Sequence, residues 1–340
     1  MKKYQWSRII CFFVVFCFLG VPCPVKSQEQ VIKLKYANYF PPVHKVSINT
    51  EQWCKEVEKR TKGRVKIIYV SGGALVPAAQ AYEAAVGGIV DISLASQSWS
   101  PGRFPLTEVL ELPLGYNSAL QGTKLANVFY KKFRPKEFDD VKVFYFWAPG
   151  PGYVMTVKPI DSIKGLKGLK LRAGGNQAKV ARAIGAIPVS VPMGDIYEGL
   201  QRGVIDGLFF YAESLKGWKY ADFIRGMQDN PGMKFTGGGV IVMNKQKWNS
   251  LPTDIQKIME QVSEEWIDKI GKVFDETGNE GIEYGLSKGM KIFKASPEEV
   301  NITINKMKPA LDEYVKNMKE KGLPGEEALK FCQDFIKSHP

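Results

Sequence analysis

Arg172 closes the short alternating run Leu169-Lys170-Leu171-Arg172, and Gly174 and Gly175 follow almost at once. The alternation predicts a strand that ends at Arg172, the glycines a sharp turn, and the composition of residues 177–183 a helix. In open α/β sheets, the carboxyl end of a strand beside a loop that opens a helix is where ligands bind. A guanidinium is permanently charged, and its planar fork matches a carboxylate through two parallel hydrogen bonds. Arg172 is therefore the leading candidate for an anion-binding group.

Few other residues here could do bond-making chemistry. His44 and His339 are the only histidines, and there is no G-x-S-x-G, no C-x-x-C and no zinc-type spacing of cysteines. Gly174-Gly175 with Asp195 downstream faintly mimics a dinucleotide fingerprint, but G-x-G-x-x-G itself is absent. We therefore expect no catalytic residues, no metal and no cofactor, with an exported enzyme as the weaker alternative.

The elements that must position Arg172 include a repeat. Val76, Pro77, Tyr82, Glu83, Gly88 and Asp91 coincide, without a gap, with Val191, Pro192, Tyr197, Glu198, Gly203 and Asp206. Each copy reads as a proline near a helix start, a short helix, a glycine stop and a β-branched strand. Asp195 and Glu198 also have the spacing of a capping box. Two related α/β lobes follow, with the repeated strands both ending at a cleft between them.

The loops that should wall this cleft supply the remaining candidates. Tyr39 and His44 lie in the Pro-rich loop after a first strand at 33–38, and Ser96 and Gln97 follow the first repeated strand. Trp147 ends an apolar strand at 141–147, and Tyr153 follows the Ala148-Pro149-Gly150-Pro151 crossing. Phe209, Phe210, Tyr211 and Glu213 close the second repeat, and Gly237 lies in a glycine-rich return strand at 235–244. No second arginine occurs in loops 39–44, 96–99 or 208–214. One cation favours one carboxylate, because a second would be buried unpaired at a penalty of several kcal/mol. The expected ligand is a monocarboxylate with an apolar or aromatic body, for instance a 2-oxo or 2-hydroxy acid whose second oxygen reaches Ser96, Gln97 or Glu213. The alternative is a C4-dicarboxylate, with Lys45 or Arg103 as second cation.

Residues 45–60 and 119–132 read as helices, and an apolar stripe from Ile255 through Met259, Val262, Trp266 and Ile270 to Phe274 predicts a long helix from 251 to about 277. A short strand at 290–293 and helices at 297–319 and 324–337 complete the chain. Lys2, Lys3 and Arg8 precede an apolar run at 9–21, and Val25 and Ser27 suit a signal-peptidase site, so cleavage is expected after about Ser27. That removes four of the 47 basic residues and leaves 43 against 35 acidic ones, a charge of +8. The charges are interleaved, which describes a solvated surface and not a nucleic-acid groove. Some 313 residues remain, more than one comfortable core. The expected organisation is a signal peptide at 1–27, lobe I from 28–150 plus 239–280, and lobe II from 151–238 plus 281–340. Cys54 and Cys332 survive cleavage in an oxidising compartment, and we expect them to form one disulfide.

The segments VEKRTKGRVKI, GGIVDISLAS, GLKGLKLRAGG, VPMGDIYEGLQRGVIDG and VIVMNKQKWNSLPTDIQ together resemble the solute-binding proteins of tripartite ATP-independent periplasmic (TRAP) transporters, of the C4-dicarboxylate-binding, DctP-type group. The resemblance spans essentially all of the chain after residue 27. It implies a two-lobed periplasmic binding protein fold, type II-like, whose α/β lobes close over an organic acid, with a long helix spanning both. It also implies that Arg172 grips the ligand carboxylate and that the partners are the small and large membrane permease subunits. Separately, the signal peptide leads us to expect a periplasmic chain, and we expect a monomer. Where the family often carries Gln-Glu-Asn after the second repeat's Asp-Gly, this chain has Leu208, Phe209 and Phe210. A receptor that presents its ligand to a sensor is a further alternative on the same fold.

Overall fold

The structure, a computed structural model, describes residues 30–339. The expected signal peptide lies outside the described residues.

Strand β1 (Ile32–Ala37), helix α1 (Lys45–Arg60), β2 (Val65–Val70), α2 (Ala81–Val86) and β3 (Ile92–Ser96) alternate, followed by α3 (Ala119–Phe133) and β4 (Val141–Trp147). A second alternation comprises β5 (Gly152–Thr156), β6 (Lys170–Arg172), α4 (Gly175–Ala183), β7 (Ile187–Val189), α5 (Ile196–Gln201), β8 (Gly207–Tyr211), α6 (Ser214–Gly217) and β9 (Gly226–Asp229). The chain then continues through β10 (Gly239–Asn244), α7 (Lys245–Asn249), α8 (Thr253–Ser287), β11 (Lys291–Lys294), α9 (Pro297–Glu320) and α10 (Gly325–Ser338).

The strands form two sheets, ordered β2-β1-β3-β10-β4 and β11-β9-β5-β8-β6-β7. Each contains a parallel trio, β2-β1-β3 in one and β7-β6-β8 in the other. An antiparallel strand, β10 or β5, then adds beside the repeated strand. The repeat explains this likeness. Asp91 precedes β3 and its Oδ2 accepts from the backbone N–H of Lys35 at 2.7 Å, while Asp206 precedes β8 and accepts from Lys170 N–H at 2.8 Å. Each aspartate thus ties the repeated strand to its parallel neighbour. Gly88 (φ 73°) and Gly203 (φ 69°) stop the preceding helices in the left-handed region that favours glycine. The capping box expected at Asp195 does not form: Asp195 is the N-cap of α5 without a side-chain hydrogen bond.

Burial on both faces of the first sheet is read most directly from β10. Val240 and Val242 enter one core with Leu125, Phe129 and Phe146, while Ile241 and Met243 enter another with Trp53, Tyr145 and Trp266. The second sheet has its own core around Phe209, Leu208, Val154 and Phe235. Helix α8 is longer than its apolar stripe suggested, 35 residues and so about 52 Å. It packs on α1, α3 and β4 of the first half and on α6 of the second. The predicted residues Ile255, Met259, Val262, Trp266, Ile270 and Phe274 are all buried along it. The chain crosses from the first sheet to the second at residues 148–151, and returns between β9 and β10.

Two expectations need correction. Residues 281–340 do not belong wholly to the second half, because α10 packs on α3 and its Ala328, Cys332 and Ile336 enter the core with Leu125 and Phe129. Cys54 and Cys332 are both buried free thiols, not a disulfide. They lie in the two cores on opposite faces of the first sheet, with the sheet itself between them.

Candidate functional site

The carboxyl ends of the two parallel trios converge on a cleft of about 570 Å³, open mouth included, that residues of both halves line. Tyr39 and Phe40 reach it from the loop after β1, Ser96, Ser98 and Trp99 from the end of β3, and Trp147 and Pro149 from the end of β4. The other half contributes Arg172, Gly174, Gln177, Met193, Phe210, Tyr211 and Glu213, and Gly237 lies at the return crossing.

Arg172 is the last residue of β6 and is 4% exposed. Among the described residues its guanidinium makes one hydrogen bond, a long one, from Nε to the carbonyl of Val191 at 3.4 Å. Its guanidinium carbon lies 4.8 Å from the centre of the Phe210 ring and 5.2 Å from that of Trp99, so it is held between two aromatic faces, one from each half. Burial pulls its pKa down, while the nearby tyrosines Tyr220, Tyr211 and Tyr39 oppose that shift. Among the described residues no carboxylate lies within ion-pair distance of it.

The walls around it are aromatic. Tyr39 stacks on Phe40 with ring centres 4.8 Å apart, and Trp147 stacks on Phe274 of α8 at 5.1 Å with planes only 11° apart. Gly239 makes room for Trp147: a Cβ there would lie 1.9 Å from an indole carbon. Gln177 Nε2 donates to the Tyr211 hydroxyl at 3.1 Å. Glu213, also a lining residue, is held from the other half by His44 Nε2 at 3.0 Å.

Of the predicted residues, Arg172, Phe210, Tyr211, Glu213, Trp147, Ser96, Tyr39 and Gly237 are brought together around this cavity. Four are placed elsewhere. Phe209 alternates away from Phe210 and is fully buried in the second core against Phe235, ring centres 4.4 Å apart. Tyr153 lines a separate depression with Asp275 and Asn279 and lies beside the Lys234 ammonium. Gln97 turns its buried amide toward Gly238, into the neighbouring pocket that it shares with Ser98 and Glu111. His44 caps α1 and supports Glu213 without lining the cavity. Sequence reading missed Phe40, Ser98, Trp99, Gln177 and Met193. Ser98 and Trp99 stood in a loop already marked as cleft wall, whereas Met193 and Gln177 carried no separate signal.

The sequence profile of bacterial extracellular solute-binding protein, family 7, the DctP family, matches residues 36–317. The chain belongs to this family. It is similar to the TRAP periplasmic solute-binding protein of Desulfovibrio salexigens, solved as an open complex, with 32% identity, 91% of this chain and 96% of that one covered, and a TM-score of 0.81. A TRAP solute-binding protein of Rhodoferax ferrireducens, solved with copurified benzoate, is 27% identical over 91% of this chain and 98% of its own, at a TM-score of 0.85. One from Bordetella bronchiseptica, solved with (R)- and (S)-mandelate, is 28% identical over 91% and 100%, at 0.84. The two-lobed TRAP solute-binding fold is thereby shown, and the family is one of transport receptors and not of enzymes. Among the described residues no helix is long and apolar enough to cross a membrane.

Proposed function

We propose that this TRAP solute-binding protein captures an aromatic or otherwise apolar monocarboxylate, with Arg172 gripping the carboxylate and the aromatic walls enclosing the body. The observation that carries the reading is Arg172 itself: a deeply buried cation with one long protein hydrogen bond, set between Trp99 and Phe210 in a cavity walled by aromatic rings. A buried guanidinium calls for an anionic partner with two acceptors. The alternative of a C4-dicarboxylate needs a second cation, and both candidates are engaged elsewhere. Lys45 pairs with Glu276 at 2.6 Å and with Glu280, and Arg103 pairs with Glu83 at 3.3 Å and with Asp140. Neither lines the cavity, whereas Glu213 does, and its carboxylate would repel a second ligand carboxylate. The benzoate and mandelate complexes of relatives support the same ligand class.

In this reading the two halves, 28–150 with 239–280 and 151–238 with most of the remainder, move about the crossings at 148–151 and 230–238. Ligand entry favours the arrangement in which Trp99 and the His44–Glu213 pair complete the enclosure. The chain acts as a monomer outside the cytoplasm after loss of residues 1–27, without catalysis, and passes its ligand to the small and large TRAP permease subunits. A thermal-shift screen of benzoate, mandelate and branched 2-oxo acids against succinate, malate and fumarate tests the reading. A ligand at 100 times its dissociation constant stabilises by about 2.7 kcal/mol, a shift of several degrees. Shifts by the dicarboxylates alone would overturn it.

A further inference from the structure

The serines of the cavity wall have already spent their protons. Ser98 Oγ donates to Glu111 Oε1 at 2.6 Å, and Ser96 Oγ donates to the carbonyl of Gly238 at 3.2 Å. Ser98 Oγ lies at a longer 3.5 Å from Ser96 Oγ. A hydroxyl has one proton and two lone pairs, so with their protons engaged these two cavity-lining serines keep acceptor capacity. The backbone supports that arrangement. Glu111 is 6% exposed, and its Oε1 also takes the N–H of Gly238 at 3.0 Å.

Resting on the reading of an aromatic monocarboxylate held by Arg172, we propose that Ser98, with its proton held by Glu111, is a specificity-determining residue that accepts a hydrogen bond from a hydroxyl on the ligand body. Hydroxylated aromatic acids then bind in preference to the unsubstituted acid, and their O-methyl ethers, which have no proton to give, do not. Glu111 is the positioning residue. Burial raises its carboxyl to about 7, against the opposing pull of Ser98 and Gly238. Because Oε1 already receives two donors, a bound proton belongs on the other carboxyl oxygen, and Ser98 still donates inward. The acceptor character of the wall therefore survives protonation of Glu111.

The test is a set of dissociation constants by calorimetry for benzoate, the three hydroxybenzoates and the three methoxybenzoates. In the wild type at least one hydroxy isomer should bind roughly two- to tenfold tighter than benzoate, the yield of one neutral hydrogen bond, and its methyl ether more weakly than the hydroxy acid. The hydroxy-to-benzoate ratio should collapse to about one in Ser98→Ala. It should persist in Glu111→Gln, whose amide oxygen still accepts from Ser98. In Glu111→Ala, which frees the Ser98 proton, the methoxy acids should gain relative to the hydroxy acids. A wild type that binds benzoate without favouring any hydroxy isomer overturns this proposal and leaves the ligand-class reading standing. So does a preference that survives Ser98→Ala, and loss of it in Glu111→Gln overturns the role of Glu111. If no aromatic acid binds at all, the ligand-class reading fails and this one with it.

Discussion

His44 and Glu213 stand 169 residues apart in sequence and meet at 3.0 Å between Nε2 and Oε2, with both side chains 2% exposed. The imidazole's other nitrogen, Nδ1, accepts from the backbone N–H of Val46 at 3.2 Å. A nitrogen that accepts carries no proton, so this network assigns the neutral ring's proton to Nε2, which donates to the carboxylate. One histidine therefore caps the first long helix and fixes an acidic wall of the cavity contributed by the other half. His44→Ala should leave Glu213 buried without its donor and lower the unfolding free energy by roughly 2–3 kcal/mol. Adding Glu213→Gln should recover part of that loss, because the buried charge is gone. Urea denaturation of the single and double variants measures the coupling, and strictly additive effects would refute it.

Arg172→Ala should weaken binding of the carboxylate ligand by about 2–5 kcal/mol, roughly thirty- to several-thousand-fold. Arg172→Lys should recover only a fraction, since a point charge does not reproduce the fork. Calorimetry with a ligand that shifts the wild-type melting temperature checks this, and undiminished affinity in Arg172→Ala would sink the assignment.

Burial holds Glu111 at about 7, above its ordinary 4.5. Between these values the folded chain keeps a proton that the unfolded chain has released. This group's contribution therefore makes stability fall as pH rises from about 4.5 to 7 and level off above. The full difference is on the order of 3 kcal/mol. Glu137, also raised to about 7 by burial, acts in the same direction. Glu111→Gln should flatten its share of the slope, so that the variant gains on the wild type at pH 8 relative to pH 5. An unchanged slope in denaturant titrations at the two pH values would contradict this.

A methyl group at position 239 would lie 1.9 Å from the Trp147 indole. Gly239→Ala should lower stability by roughly 1–3 kcal/mol through overpacking and should weaken ligand binding by shifting a wall of the cavity. Tryptophan fluorescence and thermal melting report the two effects, and a variant native in both would show that the indole moves aside freely.

Cys54 and Cys332, both buried thiols with their pKa values pushed up by burial, should resist thiol reagents in the native state. In protein lacking residues 1–27, denaturation without reductant should release two reactive thiols per chain. Fewer would mean that oxidation had joined them, at the expense of the packing seen here.

The repeat made the two sheets legible in the sequence, because Asp91 and Asp206 do the same backbone work at the same offset from the same kind of helix. The long apolar stripe of α8 was equally plain. Arg172 was legible because strand, turn and helix signals all met beside it. The misreadings share one cause, that sequence position does not report which way a side chain turns. Phe209 and Phe210 are adjacent and chemically alike, yet the strand's alternation sends one to the core and the other to the cavity. Gln97 sits between the cavity-lining Ser96 and Ser98, and Tyr153 lies four residues after the cavity-lining Pro149, yet both face other neighbours. The disulfide failed because two cysteines on helices of the same half can still be separated by the sheet that those helices cover.

Strand β10 sits inside the first sheet, between β3 and β4, although it follows all the strands of the second parallel trio in the chain. During synthesis β3 and β4 therefore have no partner on their facing edges until residue 244 has been made. The second sheet waits longer still, for β11 at 291–294, so neither half is encoded as an uninterrupted stretch. A nascent chain stopped before residue 239 would hold two unpaired strand edges, the kind of surface that recruits other chains. The interleaving of the two sheets thus keeps the polypeptide from settling before its late strands have been made.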